Sequence, residues 1–175
     1  MYEVDDRDRV TKLVGVPQSS VGAPNPLIVS DGLTVVLAYY LEDTPTDWDG
    51  SSARMVGPTT SGEPAALIRF DICLAHQFGP PNDEAFQGHP LASRGLERYG
   101  AFEIVGSSWI RGLERMNRVH PSHRAESYAA FRHLVFTFHD ETFECVCKSF
   151  SVTCTEGAIA GLVAAMTRLF RWGAG

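Results

Sequence analysis

The stretch Phe131–Val152, FRHLVFTFHDETFECVCKSFSV, lays out two strands and the turn that joins them. With Asp140-Glu141 as a two-residue turn, Phe138 faces Phe143, Phe136 faces Cys145 and Leu134 faces Cys147, so these residues share one apolar face. His133, Val135, Thr137 and His139 share the other face with Thr142, Glu144, Val146 and Lys148. Side chains alternate along a strand, so a slip of one residue would mix the two sets, and the pattern favours this register. Asp-Glu is not a favoured turn dipeptide, and a four-residue loop would serve the same pairing. The second face becomes apolar again at Phe131, Phe150 and Val152, which predicts a cover over that end. The C-terminal helix is the candidate cover, with the His139 tip left accessible.

On either side of this hairpin the chain reads as further strands with two helices. Leu27–Val29 and Thr34–Glu42 flank Asp31-Gly32, a strong turn dipeptide, and Val35–Leu41 is apolar at every position, as in a strand covered on both faces. Ala66–Phe78 reads as a single strand with Ile68, Phe70, Ile72 and Leu74 on one side and Arg69 and Asp71 on the other. Lys12–Val16 and Ala101–Val105 are shorter candidates, and Asp83–Gln87 has room for one helical turn after Gly79-Pro80-Pro81. Ser107 or Ser108 caps a predicted helix over Trp109–His120, stopped by Pro121. A final amphipathic helix is predicted over Glu156–Trp172, capped by Thr155, with Ile159, Leu162, Val163, Met166 and Phe170 as its apolar stripe. The fold class is therefore α+β: an antiparallel sheet or flattened sandwich with one internal helix and a C-terminal one. A length of 175 residues suits one domain, with residues 1–26 and 43–64 rich in loop-forming residues.

Composition narrows the function classes. The chain is 44% hydrophobic and 21% charged, an ordinary globular mix. Fifteen basic residues against 21 acidic ones argue against nucleic acid as the partner, because phosphate binding needs clustered Lys and Arg. The acidic N-terminus lacks the pattern of a secretory signal, and no apolar run is long enough for a membrane span, so a cytoplasmic protein is expected. There the thiols of Cys73, Cys145, Cys147 and Cys154 should be reduced, as core residues or metal ligands. Cys145-x-Cys147 lies on the apolar face and reads as packing.

Six histidines mark where chemistry could sit. One cluster is His76, Asp83, Glu84 and His89, with His76 in the apolar phase of its strand, where a histidine satisfied by a backbone carbonyl is the plainer account. A second, His120-Pro121-Ser122-His123, has chelating spacing but lies in a loop, where solvated histidines are the default. The third holds His133, His139, Asp140, Glu141 and Glu144, which a solvated sheet face also explains. His89, His139 and Glu144 are the candidate catalytic residues, and His76, His89 and His139 the candidate metal ligands. A divalent metal is compatible with these residue types and no cofactor is favoured. Gly106-Ser107-Ser108 could hold an anion, although a plain helix cap accounts for it, and Trp109 reads as a core or edge aromatic rather than a stacking platform. The sequence holds no nucleophile elbow, phosphate loop, dinucleotide fingerprint or His-Glu-x-x-His helix.

Phe78-Gly79-Pro80-Pro81-Asn82-Asp83-Glu84-Ala85, Gly88-His89-Pro90-Leu91, Ser107-Ser108-Trp109-Ile110 and Phe136 to Cys145 together resemble a family of small, uncharacterised bacterial proteins. The resemblance covers roughly residues 66 to 150. It implies a soluble stand-alone domain and brings no activity, cofactor or catalytic residue with it. Three functions are expected in turn. The first is a non-catalytic domain binding a small molecule or a protein near the Pro80–Leu91 loop and the His139 tip. The second is a His/carboxylate hydrolase, lyase or isomerase. The third is an immunity-type interaction protein using acidic residues such as Asp43, Asp47 and Asp49.

Overall fold

Thr34–Tyr40 is buried at every position because the sheet that holds it is covered on both sides. The computed structural model describes residues 2–43 and 54–170. Its strands are β1 (Arg9–Lys12), β2 (Leu27–Ser30), β3 (Thr34–Tyr40), β4 (Pro64–Asp71), β5 (Ala75–Gly79), β6 (Gly100–Val105), β7 (Arg132–Thr137), β8 (Thr142–Cys147) and β9 (Ser149–Glu156). They form two antiparallel sheets, ordered β1-β6-β7-β8-β5 and β2-β3-β4-β9. The α+β reading holds, and the core is a sandwich. Alternate residues of β3 serve its two sides. Val35, Leu37 and Tyr39 meet Phe70, Phe136 and Phe143 between the sheets, while Val36, Ala38 and Tyr40 meet Ile159, Met166 and Phe170 outside.

The expected strand over Ala66–Phe78 is instead two strands in different sheets. β4 ends at Asp71, Ile72 turns with φ 54°, and β5 starts at Ala75 in the other sheet. The inward phase is lost at the turn, where Ile72 and Leu74 come out 47% and 42% exposed. A second crossing lies beside it: β8 passes through Lys148 into β9, and Lys148 N–H donates to the Asp71 carbonyl at 3.0 Å. This second crossing turns Phe150 and Val152 into the inter-sheet core.

The β7–β8 pairing differs from expectation by two residues: Phe136 faces Phe143, Leu134 faces Cys145 and Thr137 faces Thr142. A four-residue loop, closed by Phe138 N–H to Glu141 O at 2.9 Å, replaces the Asp140-Glu141 turn. A shift of two keeps every side chain on its face, so the apolar pattern cannot distinguish the registers. The face assignment stands, with Leu134, Phe136, Phe138, Phe143, Cys145 and Cys147 all in the inter-sheet cluster.

The cover over the other face of β7–β8 is not the C-terminal helix. It consists of α1 (Ser108–Asn117), the N-terminal segment, and the 3-10 turns Phe86–Gly88 and Ala92–Arg94, which bury Phe86, Leu91 and Leu96 on Phe102, Ile104 and Val135. The C-terminal helix is also shorter than expected. Thr155 and Glu156 pair with Ala65 and Pro64 as the end of β9, and only a 3-10 turn (Ile159–Leu162) and α2 (Val163–Arg168) follow among the described residues. They cover β3 from outside. Trp172, Asp47 and Asp49, named in the sequence reading, lie outside the described residues. No helix among the described residues is long and apolar enough to cross a membrane.

Phe70 is the hinge of the inter-sheet packing, with ring centroids 5.6 Å from Phe136, 5.3 Å from Phe143 and 6.4 Å from Phe150. Replacing Phe70 with Ala should cost about 3–5 kcal/mol in urea unfolding. Val14→Ala, at a position 89% exposed, should stay within about 0.5 kcal/mol of the unaltered protein.

Candidate functional site

Glu144 lies on β8 directly between Gln77 of β5 and Val135 of β7. Its face was expected to be solvated, yet its side chain is 2% exposed and His133 is fully buried. An ionised carboxylate at such a depth must be met by donors. Oε2 receives Tyr2 Oη–H at 2.6 Å and His133 Nε2 at 2.8 Å, and Oε1 receives His89 Nε2 at 3.1 Å and the Gln77 amide. Burial acts to raise the pKa of Glu144, but the hydrogen bonds from His133, His89 and Tyr2 outweigh it and hold the carboxyl below the usual range. Tyr2 shifts the opposite way: burial, then the adjacent Glu144 charge, keep its phenol protonated.

The donors are themselves fixed. Leu91 N–H donates to His89 Nδ1 at 3.1 Å, which leaves Nε2–H for Glu144, and the ring lies on Phe86. His133 Nδ1 meets Ser107 Oγ at 2.9 Å, and Ser107 Oγ accepts Ile110 N–H at 3.2 Å as the α1 cap. The helix start therefore holds no free anion site: Ser108 N–H donates to Asp8 Oδ1 at 2.7 Å, a carboxylate placed where the helix dipole favours it. Gly106, at φ 72°, permits this approach, since a Cβ there would stand 2.4 Å from the Arg7 carbonyl oxygen.

Ser107, His133 and Glu144 form a Ser-His-carboxylate chain, but its ring nitrogens run opposite to a hydrolase relay, where Ser bonds Nε2 and the carboxylate Nδ1. Ser107 is 3% exposed and its oxygen is committed to the cap and to His133. All four bonding positions of Glu144 are taken. The arrangement ties the N-terminal segment, β5, β7, β8 and the start of α1 to one carboxylate.

Of the sequence-predicted residues, His89 and Glu144 are therefore brought together, and His139 is not with them. His139 is 44% exposed at the hairpin tip, with Nδ1 2.9 Å from Asp83 Oδ2; the same oxygen accepts Tyr99 Oη–H, and Asp83 N–H donates to the His139 carbonyl. The hydrogen bond to the Asp83 carboxylate raises the pKa of His139, and the hydrogen bonds that Asp83 accepts from Tyr99 and then His139 lower its own. His76 is exposed on the opposite face of β5 from Gln77, not a satisfied core histidine. The proposed ligand set of His76, His89 and His139 thus stays apart, and among the described residues no group of three or more His, Cys, Asp and Glu side chains is arranged to hold a metal. His123 bonds Glu114 at 2.9 Å and Asn117 at 3.1 Å, while His120 turns to Ser122 N–H, so the His-x-x-His pair does not converge.

The sequence reading missed Tyr2, Gln77 and the role of Ser107. Gln77 could have been found, because strand alternation puts it on the Glu144 side of β5; nothing local marks Tyr2. Trp109 was expected to be a core or edge aromatic. It stacks on Tyr2 with centroids 5.3 Å apart and planes 9° apart, and it walls an open cleft of about 490 Å³ with Gln77, Leu113, Arg115 and Met116. Comparison with protein families, with curated proteins and with solved structures gave no match.

Because Glu144 is held below its ordinary value of 4.5 when folded, the unfolded chain binds its proton first as pH falls. This contribution to stability is fully present above that value and is lost on acidification towards the folded value. Glu144→Gln should cost about 3 kcal/mol at neutral pH and flatten the acid limb of a stability–pH profile measured by urea unfolding. An unchanged acid limb would mean that the carboxylate is not ionised in the fold.

Proposed function

We propose that this chain is a non-catalytic binding domain whose ligand lies in the cleft between Tyr2, Trp109, Leu113 and Gln77. One observation carries the reading: Tyr2 and Gln77, two of the four donors that saturate the Glu144 carboxylate, line an open cleft walled by Trp109. The cleft offers apolar surface from Trp109, Leu113 and Met116, with Gln77 and Arg115 as polar contacts, the mixture usual in small-molecule and peptide-side-chain sites. A small amphipathic ligand, or an apolar side chain of a protein partner, matches it. The deficit of basic residues speaks against nucleic acid, and free cysteines fit a reducing cytoplasm.

A catalytic reading has one observation in its favour, the Asp83–His139 pair. His139 Nδ1 is oriented by the carboxylate and the ring is solvent-accessible, as a general base requires.

A fragment screen by ligand-observed NMR separates the two. Hits should include planar amphipathic compounds whose binding weakens about thirtyfold in Trp109→Ala, as for an aromatic anchor, and is unchanged in His139→Ala. Binding that is lost in His139→Ala but retained in Trp109→Ala, or a fragment consumed during the assay, would favour the catalytic reading.

A further inference from the structure

Three of the four cysteines meet where the chain crosses between the sheets, away from the cleft. Cys145 and Cys147 point from β8 into the inter-sheet core with Sγ atoms 3.9 Å apart. Cys73, in the β4–β5 crossing, belongs to the same buried cluster and is held beside Cys147 by the backbone on either side, with Lys148 N–H donating to the Asp71 carbonyl at 3.0 Å and Leu74 N–H to the Val146 carbonyl at 2.8 Å, and its thiol lies 3.8 Å from the Phe70 carbonyl. Cys73 is 6% exposed and the other two are fully buried, so the crossing is the edge from which a small reagent reaches the trio. Cys154 is exposed on β9 and takes no part.

We propose that Cys73 and one of the two β8 thiols form a reversible disulfide, making this corner a two-electron thiol switch. Its partner comes from β8 and not from a Cys145–Cys147 bond, because β8 is paired on both sides, by β7 and β5, and resists the bend that such a bond would need. Cys73 lies in an irregular crossing and can approach. The final step brings the two sulfurs to a bond of about 2 Å.

The chemistry needs a hydroperoxide as oxidant. Cys73 sulfur attacks one peroxide oxygen, the O–O bond breaks, and the second oxygen leaves as water or an alcohol after taking a proton. The resulting sulfenic acid is attacked by the β8 sulfur; its S–O bond breaks, the S–S bond forms, and the hydroxide leaves with the thiol proton as water. Two thiols are oxidised by two electrons and the peroxide is reduced by two. A dithiol reductant reverses the change. Polarity favours Cys73 as the attacking group: hydrogen bonds from Cys145 and Cys147 hold it below the ordinary thiol range, while burial pushes Cys145 well above it.

The test treats the folded full chain with hydrogen peroxide, then denatures it, alkylates the remaining thiols and maps linked peptides by mass spectrometry. The expected result is loss of two hydrogens, two of the four thiols protected, and a linkage joining the Cys73 peptide to the Cys145–Cys147 peptide. Dithiothreitol should reverse it, and Cys154→Ser should leave it unchanged. Four alkylated thiols, a Cys145–Cys147 bond, a bond through Cys154, or a Cys73 that halts as sulfinic acid would each overturn the proposal. The mapping on the unaltered chain decides the matter; Cys73→Ser, expected to abolish the linkage, serves as a second check where it folds.

Discussion

The buried Glu144 carboxylate is the constraint on which one whole side of the molecule depends. Its cost of burial is met only while four donors remain in place, and they come from separate parts of the chain: Tyr2, Gln77 on β5, His89 in the loop before Leu91, and His133 on β7. Removing any one would leave charge poorly compensated in a site of low polarity, which costs more than the lost bond alone. The carboxylate therefore specifies where the N-terminal segment, the 86–97 loops and α1 must lie. His133 extends the constraint to α1, because the serine that meets its Nδ1 is also the helix cap. Asp8 makes a parallel connection, joining the N-terminal segment to the same helix start through Ser108.

The opposite side rests on apolar packing. Phe70, Phe136, Phe143 and the β3 residues fill the space between the sheets, and two adjacent crossings bring β4 to β5 and β8 to β9. A sandwich built this way closes its corner covalently along the backbone, and the Asp71 carbonyl accepting from Lys148 N–H ties the crossings together. Cysteines suit the tight corner, since a thiol fills a small apolar space without an obligatory strong partner.

What was legible in the sequence follows from which signals are local. The β2–β3 turn is a local matter: Asp31 Oδ1 accepts from the N–H groups of Leu33 and Thr34, and Asp31-Gly32 marked it without tertiary help. The faces of β7 and β8 were legible from alternation, while their register was not, because a shift of two residues leaves the pattern intact. The break at Ile72 was hidden for a related reason: an apolar residue continued the alternation through a point where the backbone turns to the other sheet. The pairing of His89 with Glu144 was named only as a set of residue types. His133 and Glu144 share a strand face that was visible, but its burial was not, since the cover comes from Tyr2 and α1, distant in sequence. A polar strand face reads as solvated until something places a lid on it.

The saturated carboxylate and the open cleft are physically related through Tyr2 and Gln77, which belong to both. A binding wall is effective when its side chains are already ordered, because the entropy of fixing them is then not charged against the ligand. Gln77 is held by Glu144, and Trp109 is held between the Tyr2 ring and the edge of His133, whose centroid is 5.0 Å away. Tyr2 cannot leave without stripping a donor from Glu144, so a ligand gains nothing by displacing it. In the proposed binding mode a ligand packs on the Tyr2–Trp109 pair as it stands, with Leu113 and Met116 adding apolar area. The buried Glu144, His89 and His133 beneath set the orientation of that wall without lining the cleft themselves.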